Sequence, residues 1–405
     1  MEQMLFWALA ALKLVSLYFL LLALFAFQRP KPILRAKPST RFACVIAARN
    51  EERVIGALVE SILGQDYPRE LFDVYVIPNN CRDHTALCAL RAGAKLLKPV
   101  GEITCKGDAL HAAIRTLLPR GYDAFCVFDA DNVLDRSFLS RMNDTFCAGA
   151  QVAKGAMRVK NPEDGAVCGC YGLYFALFDF FFSRARMACG LSSKLVGTGF
   201  AVHRSVIETL GGWNSRMIAE DAEFASLCAE RGIRVWFQPE AITYDEAPAS
   251  FAVSLRQRRR WASGVMDVAG AYGARLWMGI FTGGGARAFD MLMMLMQPRC
   301  QTLSFLLTAA LWVAGLEKGA LCGLLLSLAA GYFAMAALAW MLRRTQKLAC
   351  GWGALLMFPV FMASWLPINV LSFFFRERTW TEIRHGERKM TAARTLPALL
   401  AEKSK

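Results

Sequence analysis

The sequence of 405 residues predicts an α/β fold with a mostly parallel sheet, joined to helices that lie in or on a membrane. Between residues 42 and 250, short runs rich in β-branched and aromatic residues alternate with helical stretches. This alternation is typical of a parallel sheet with helices on both faces. Long apolar segments flank the region, and 55% of all residues are hydrophobic. We therefore expect an α/β domain held at a membrane by helices on both sides of it.

Residues 5–27 form the first apolar segment, which is interrupted only by Lys13. About 20 apolar residues suffice for a helix to cross a hydrocarbon core of about 30 Å. A cleaved signal peptide is the alternative, but the segment lacks a basic start and a small-residue cleavage site. Residues 29–41 are strongly basic. The positive-inside rule therefore predicts residues 1–28 as a transmembrane helix with the following domain in the cytosol.

Residues 29–250 are predicted to form the α/β domain. In a parallel sheet, ligands bind beyond the carboxyl ends of the strands. Polar clusters directly follow three predicted strands, so we expect these clusters to converge at one edge of the sheet. The predicted strands are residues 42–47, 74–77, 125–128, 196–202 and 234–237, the main helices are 53–63, 107–118 and 222–231, and the polar clusters are 49–52, 79–83 and 129–131.

The second half of the chain is predicted to be largely membrane-associated. Residues 251–300 mix basic, aromatic and apolar side chains, as interfacial amphipathic helices do. Residues 301–342 predict a transmembrane hairpin. Within residues 343–405, the apolar segment 351–375 is long enough to cross, but a crossing would place the basic tail outside, against the positive-inside rule. We therefore predict that this segment lies in the interface, which gives three crossings.

The composition narrows the possible partners. A formal net charge of +14 suggests either an anionic membrane surface or nucleic acid. The basic residues concentrate beside apolar segments, and no zinc-finger or RNP pattern is present, so we expect membrane lipids and no nucleic acid. The 13 cysteines lack disulfide-like or zinc-like spacing, which is typical of a reducing compartment.

Four motifs follow one another in a specific order. Taken together they resemble the membrane-embedded family 2 glycosyltransferases, which include cellulose, hyaluronan and chitin-oligosaccharide synthases. The resemblance covers residues 42–264 and implies the nucleotide-diphospho-sugar transferase (GT-A) fold. The motifs are Ala47-Ala48-Arg49-Asn50-Glu51-Glu52, Asp129-Ala130-Asp131-Asn132, Ala219-Glu220-Asp221 and Gln257-Arg258-Arg259-Arg260-Trp261.

The resemblance assigns a donor side to the expected site. Two carboxylates one residue apart can hold Mg²⁺ or Mn²⁺, which spreads the negative charge of a leaving diphosphate. The resemblance implies that Asp131 is the direct metal ligand, with Asp129 on the metal or the ribose. A pair of helix-capping residues is the alternative for these carboxylates. The other residues expected to bind the nucleotide sugar are Ala47, Arg49, Glu51, Asn79 and Lys106.

The resemblance also assigns the catalytic base. Asp221 would accept the proton of the acceptor hydroxyl, with Glu220 beside it to raise its pKa. The alternative is that both acids only favour the start of the following helix. The family usually has Thr where this chain has Ala219.

The residues expected to bind the acceptor belong to the last motif and to a glycine loop. Gln257, Arg260 and Trp261 share one helix face, where Arg260 can pair with a diphosphate and Trp261 can stack on a pyranose. The loop that contains Gly197 and Thr198 resembles the acceptor-side loop of the family, although it could be only a tight turn. For Arg256, Arg258 and Arg259 the alternative is a basic helix that rests on lipid headgroups.

Two further positions bear on the donor. Asn79 stands where the family has Asp; its amide can hydrogen-bond uracil but carries no charge. Trp380 and His385 resemble an element that lies near the cytosolic substrate entrance in relatives, which suggests a gate over the nucleotide. The alternative for Trp380 is a juxtamembrane anchor.

These observations predict an inverting, metal-dependent glycosyltransferase in the bacterial cell membrane, with its catalytic domain in the cytoplasm. A UDP-sugar would be the donor and a saccharide the acceptor. The last motif favours processive synthesis of a β-linked polysaccharide or oligosaccharide. Addition of one sugar to a lipid-linked acceptor is the first alternative, and a non-catalytic membrane scaffold is the second.

Overall fold

The computed structural model describes residues 2–28, 30–98, 103–313 and 320–376. Its centre is an eight-stranded sheet in the order β3-β2-β1-β4-β7-β6-β8-β5. The strands are β1 (Phe42–Ala48), β2 (Phe72–Pro78), β3 (Lys95–Leu96), β4 (Ala124–Asp129), β5 (Val133–Leu134), β6 (Val152–Val159), β7 (Phe200–His203) and β8 (Val235–Asp245).

The sheet is mixed and mostly parallel, as predicted. Strand β1 pairs in parallel with β2 and β4, and β6 pairs in parallel with β8. Strand β7 is antiparallel to β4 and β6, and β5 is antiparallel to β8. In the register of β1, Ala47 lies opposite Asp129 and Ala48 lies opposite Pro78. The predicted polar clusters therefore do follow strands that end at one edge of the sheet.

Helices cover both faces of the sheet. Alternate residues of β1 separate into two cores, with Ala43 and Val45 on one face and Phe42, Cys44 and Ile46 on the other. The helices of the soluble part are α2 (Ile55–Leu63), α3 (Thr85–Arg91), α4 (Lys106–Leu117), α5 (Phe138–Cys147), α8 (Arg204–Thr209) and α9 (Glu220–Glu230). Helices α4 and α9 pack in the first core, and α2 and α5 in the second.

Several boundaries differ from the sequence-based expectation. Strand β6 was not predicted, because Lys154, Gly155 and Arg158 interrupt its apolar pattern. The strand predicted at 196–202 is only Phe200–His203, because Gly199 takes a left-handed φ of 63° and ends a loop. Strand β8 continues far past the predicted 237, through the polar stretch that starts at Gln238.

Long helices form the rest of the described chain. They are α1 (Glu2–Leu24), α6 (Ala166–Leu177), a π-helix (Phe178–Arg184), α7 (Ala185–Ala188), α10 (Phe251–Thr282), α11 (Gly285–Val313), α12 (Ala320–Thr345), α13 (Trp352–Ala363) and α14 (Trp365–Phe374). Three stretches are long and apolar enough to cross a membrane by length and composition: Trp7–Phe27, Ala166–Ala188 and Trp352–Phe374. The first matches the predicted anchor; the second was not predicted. The turn of the predicted hairpin lies outside the described residues.

A buried ion pair connects α1 with α7 and α11. Arg186 in α7 donates two hydrogen bonds to Asp290 in α11, at 2.9 and 3.0 Å. Both side chains are 1% exposed. The hydroxyl of Tyr18 in α1 donates to the same carboxylate at 2.8 Å. Three helices far apart in sequence therefore share one charge pair.

We expect the substitution Asp290→Ala to destabilise the protein by roughly 3–5 kcal/mol, because it leaves the Arg186 guanidinium buried without a counter-charge. The measurement is the midpoint of thermal unfolding in detergent, which should fall clearly.

The matched control is the double substitution Arg186→Met with Asp290→Leu, which removes both charges and replaces them with apolar side chains. Its unfolding midpoint should lie close to that of the unmodified protein. An unchanged midpoint for Asp290→Ala alone would contradict the role of the ion pair.

Candidate active site

One cavity of about 1270 Å³ opens at the carboxyl edge of the sheet and contains the predicted donor, catalytic and acceptor residues. Trp380 and His385, the predicted gating residues, lie outside the described residues. The predicted residues that line the cavity are Ala47, Arg49, Glu51, Asn79, Lys106, Asp129, Asp131, Gly197, Thr198, Glu220, Asp221, Gln257, Arg260 and Trp261.

The Lys106 ammonium is at the centre of the polar part of the cavity. Its Nζ lies 2.6 Å from Asp129 Oδ1 and 3.2 Å from Glu220 Oε1, and it donates to the carbonyl oxygen of Gly197. Burial alone would lower the pKa of Lys106, but the Asp129 and Glu220 carboxylates raise it above its ordinary value. Lys106 therefore stays protonated and holds the end of β4, the glycine loop and the start of α9 together.

Gly107 permits this arrangement. A Cβ at this position would lie 2.1 Å from the carbonyl oxygen of Ser215, so only glycine lets the start of α4 approach that segment. The Asp108 carboxylate accepts from the backbone N–H of Thr104 at 3.1 Å and of Cys105 at 3.3 Å, which caps the helix. The sequence thus fixes the first turn of α4 and with it the position of Lys106.

Glu220 and Asp221 form the first turn of α9 and face the same cavity. Burial raises the pKa of Glu220 to about 7; Lys106 opposes the rise, and Asp221 and Asp129 add to it. Burial also raises the pKa of Asp221, although the backbone N–H of Ala222 and the Lys106 and Lys194 ammonium groups lower it. A carboxylate with a raised pKa is a better proton acceptor than an ordinary one. The alternative, that both acids favour the start of the following helix, agrees with their position in the first turn of α9. The same turn fixes the position of both side chains.

Asp129 ends β4, Asp131 follows two residues later, and together they fit a site for a divalent cation. In the described part of the chain, no group of three or more His, Cys, Asp or Glu side chains could hold a metal ion. Mg²⁺ commonly uses one or two carboxylates together with water and substrate phosphates, so two aspartates are sufficient.

The electrostatics of a third carboxylate support this fit. Asp245, at the end of β8, has a pKa well above its ordinary value, because it is buried and lies near Asp131 and Asp129. The negative charges crowded here are those that a divalent cation would neutralise.

Sequence analysis missed Asp245. Its Oδ1 accepts from the Asn132 side-chain amide at 3.0 Å. The next residue, Glu246, forms an ion pair of 2.9 Å with Lys160, whose ammonium also donates to the carbonyl oxygen of Asp131 at 2.8 Å. A strand prediction that continued through Gln238 would have placed Asp245 at the same edge as Asp129.

Asn79 has a buried hydrogen-bond acceptor at the wall of the cavity. Its side chain is buried, and its Oδ1 has no hydrogen-bond partner among the residues that the structure describes. A buried acceptor without a partner is rare in proteins and fits an N–H donor from a ligand. Asp83, by contrast, accepts from the hydroxyl of Thr85 at 2.5 Å and the backbone N–H of Glu52 at 3.0 Å, so it organises the loop.

Helix α10 presents the acceptor residues. Gln257 Oε1 accepts from the Tyr171 hydroxyl at 2.8 Å, and the Trp261 ring lies 6.2 Å from the Tyr171 ring at an angle of 84°. A Cβ at Gly264 would lie 2.9 Å from that of Ala219, so α10 packs closely against the segment just before the catalytic pair. These contacts hold Gln257 and Trp261, the predicted acceptor residues, close to Asp221, the predicted catalytic base.

The alternative of lipid-headgroup contact is wrong for Arg258. This side chain is fully buried and donates to the carbonyl oxygen of Phe361 at 3.0 Å and to Ser364 Oγ at 2.8 Å. Its guanidinium also lies 4.0 Å from the centre of the Phe361 ring. Arg258 and Trp261 are three residues apart on α10, so the difference lies in their contacts: the Arg258 guanidinium reaches the end of α13, whereas Gln257 and Trp261 line the cavity.

The long helices line another part of the cavity, which is mixed in character. Phe178 and Phe182 of the π-helix and Met291 and Phe305 of α11 are apolar. The same helices, with α1, also contribute polar residues, namely Ser16, Gln297, Gln301, Ser304 and Thr308. Sequence analysis assigned none of them to the site, because residues in long apolar segments carry no signal of ligand contact. The cavity therefore joins a charged pocket at the sheet edge to a more apolar region between the long helices.

Comparison with known proteins supports the motif analysis. Residues 38–264 match the glycosyltransferase like family 2. The chain is 30% identical over 252 residues to the probable glycosyltransferase YdaM of Bacillus subtilis, which covers 59% of this chain and 59% of YdaM. It is 28% identical over 248 residues to the β-monoglucosyldiacylglycerol synthase of Synechocystis, which covers 58% and 51%.

A third relative is named for a polysaccharide product. The poly-β-1,6-N-acetyl-D-glucosamine synthase of Staphylococcus aureus is 21% identical over 253 residues, covering 59% of this chain and 58% of the relative. The matches thus extend over only 51–59% of the length of these curated relatives.

A solved structure shows the same fold. The mannosyltransferase PcManGT from Pyrobaculum calidifontis, in complex with GDP-Man and Mn²⁺, superposes with a TM-score of 0.62 at 19% identity, covering 92% of this chain and 100% of that chain. This likeness confirms the predicted GT-A fold. Because the family match spans more than half of the chain, the protein belongs to glycosyltransferase family 2.

Proposed function

We propose that this enzyme transfers one sugar, with inversion, from a nucleoside diphosphate sugar to a hydroxyl of a lipid acceptor. The catalytic domain would lie on the cytosolic face of a bacterial membrane. The observation that carries the proposal is the continuity of one cavity from Asp129 at the sheet edge to Ser16 in α1. A nucleotide sugar is polar and would not fill the apolar half of this cavity, whereas the chains of a lipid acceptor would bury apolar surface there.

The depth of the cavity supports a lipid acceptor. Ser16 lies near the middle of the apolar stretch Trp7–Phe27. At about 1.5 Å per residue, it is about 16 Å from Phe27 along the helix axis. This distance is roughly half of a hydrocarbon core of about 30 Å. The β-monoglucosyldiacylglycerol synthase relative, which is named for a glycolipid, agrees with this proposal.

The residues of the polar half provide the chemistry. The acceptor oxygen bonds to the anomeric carbon as the bond to the diphosphate breaks, and Asp221 accepts the hydroxyl proton. A divalent cation held by Asp131 and Asp129 would neutralise charge on the departing diphosphate. Lys106 fixes the position of Asp129, and Arg260 offers two parallel N–H donors to a phosphate. The side-chain oxygen of Asn79, which has no partner in the described structure, would accept a hydrogen bond from the nucleobase of the donor. We propose that this nucleobase is uracil.

The second candidate function is processive synthesis of a β-linked polysaccharide or oligosaccharide. It is supported by Gln257, Arg260 and Trp261 in the cavity wall and by the poly-N-acetylglucosamine synthase relative. Trp261 can stack on a sugar in either case. The two functions differ in the length and the solubility of the product.

The product itself tests the proposed function. Purified protein in nanodiscs, supplied with a panel of UDP-sugars and Mn²⁺, should convert a lipid to a form that is one hexose heavier by mass spectrometry. A ladder of products, or transfer only to soluble saccharides, would favour the polysaccharide function instead.

The substitution Asp221→Asn should lower the rate of transfer by about 10²–10⁴-fold, because the amide cannot accept the proton. Binding of UDP, measured by calorimetry, should be preserved. Asp66→Asn is the matched control, since Asp66 is exposed and pairs only with Arg136 in the described structure, far from the cavity. Undiminished turnover in Asp221→Asn would refute the assignment of the base.

Removal of divalent cations with EDTA should abolish transfer, and Mn²⁺ or Mg²⁺ should restore it. Asp131→Asn should raise the Mn²⁺ concentration required for half-maximal rate by about tenfold or more, because one anionic oxygen ligand is lost. The measurement is UDP release as a function of Mn²⁺ concentration. Full activity in EDTA would contradict the proposed role of the two aspartates.

A further inference from the structure

Two lysines line the cavity in addition to Lys106, and the proposed reaction assigns neither of them a role. Lys154 lies on β6 and Lys194 on the loop before β7, and both face the interior. Lys154 donates from its ammonium to the carbonyl oxygen of Gly155 at 2.7 Å. The ammonium of Lys194 lies 4.2 Å from the centre of the Phe178 ring. Neither forms an ion pair with any residue in the described ranges.

Holding two ammonium groups in the cavity without counter-ions is energetically unfavourable in the absence of a ligand. Burial lowers the pKa of Lys194 and that of Lys154 to about 8; Asp221 opposes the shift at Lys194, and Asp179, Asp245 and Asp221 oppose it at Lys154. Lys154 is buried, and Lys194 is half-buried in the cavity wall. One carbonyl oxygen or one aromatic ring replaces only part of the hydration that such an ammonium loses. Structural lysines are usually placed at the surface or in ion pairs, so these two are better explained by an anionic ligand.

The position of Lys194 indicates which ligand this is. Its ammonium interacts electrostatically with Asp221, the proposed base, and lies against Phe178, the first residue of the π-helix. The donor-side carboxylate Asp129 is already paired with Lys106. Lys194 therefore lies where the polar and apolar halves of the cavity meet, on the acceptor side of the base.

The surrounding segments hold Lys194 in place. The backbone N–H of Ser193 donates to the carbonyl oxygen of Val235 at 2.9 Å, and that of Val235 donates to Ser192 Oγ at 3.2 Å. Asp179, the acidic residue of the π-helix, is paired with Arg158 at 2.7 Å and so does not neutralise Lys194. Single π-helical turns are rare and frequently lie at functional sites.

We propose that Lys194 binds a phosphate group in the head of the acceptor lipid. The acceptor is thus an anionic lipid, with its phosphate on Lys194, its reacting oxygen next to Asp221 and its chains between the π-helix, α1 and α11. This inference rests on the proposed lipid acceptor and specifies the chemical class of its head group.

The test compares acceptors and variants in nanodiscs of phosphatidylcholine. Phosphatidylglycerol is the anionic acceptor, diacylglycerol is the neutral lipid, and glycerol phosphate is the soluble phosphate ester; all three have a free hydroxyl. The preferred UDP-sugar is the donor. The unmodified enzyme should have a kcat/KM at least about tenfold higher for an anionic lipid than for diacylglycerol, the ratio expected from one charge-assisted hydrogen bond.

The variant Lys194→Met should lose this preference, with kcat/KM for the anionic lipid lowered at least about tenfold and that for diacylglycerol unchanged. Lys194→Arg should retain it. The KM for the UDP-sugar should stay constant in all variants. Lys95→Met is the matched control, because Lys95 is exposed on β3, pairs with Asp73 and does not line the cavity.

Each other outcome is decisive. Equal use of neutral and anionic lipids would overturn the phosphate assignment and leave the proposed lipid function standing. A raised KM for the UDP-sugar in Lys194→Met would also overturn the assignment, since it would place Lys194 on the donor diphosphate. Glycerol phosphate used as well as the lipids would support the phosphate assignment but refute the lipid function. Transfer to none of these acceptors would refute both.

Discussion

The charge arrangement around Lys106 determines the geometry of the active site. One ammonium contacts the carboxylates of Asp129 and Glu220, and these belong to the end of β4 and the start of α9. Without this cation, Asp129, Glu220 and Asp221 would repel one another across a cavity that excludes much of the water. With it, the donor side and the proposed base are held at a fixed separation. Both the pKa of Glu220 and that of Asp221 depend on the same ammonium.

The long helix α10 connects this site to the membrane helices. Gln257 and Trp261 line the cavity, while the neighbouring Arg258 is buried and contacts the end of α13 through a carbonyl oxygen, a hydroxyl and an aromatic ring. A buried guanidinium is stable only where such partners satisfy it. The predicted acceptor residues are held in place by the packing of α10 on α9, α11 and α14. The long apolar helices thus help to shape the cavity.

The two halves of the cavity differ in chemical character and so suit different parts of the proposed substrates. The sheet edge has acidic and amide groups suited to a cation, a diphosphate and a base, as expected of a GT-A fold. The opposite half is formed by α1, the π-helix and α11, and its aromatic, aliphatic and methionine side chains are interspersed with serine, threonine and glutamine. Lys194 lies at the junction. A lipid with a phosphate head would satisfy both regions at once, whereas a polysaccharide alone would leave the apolar region in contact with water.

The sequence by itself determined the α/β class and the parallel core of the sheet, and it predicted donor, base and acceptor residues that line one cavity. It could do so because strands β1, β2 and β4 are continuous apolar runs, and the carboxyl ends of parallel strands necessarily share one edge. The order of the four motifs then identified the family. Strand β6 and the far end of β8 could not be predicted, because polar residues within them hide the strand pattern. Only the tertiary structure placed Asp245 beside the aspartate pair, buried Arg258 and brought Lys194 to the boundary of the apolar region. These positions depend on contacts between segments distant in the chain, which local patterns of charge and hydropathy do not encode.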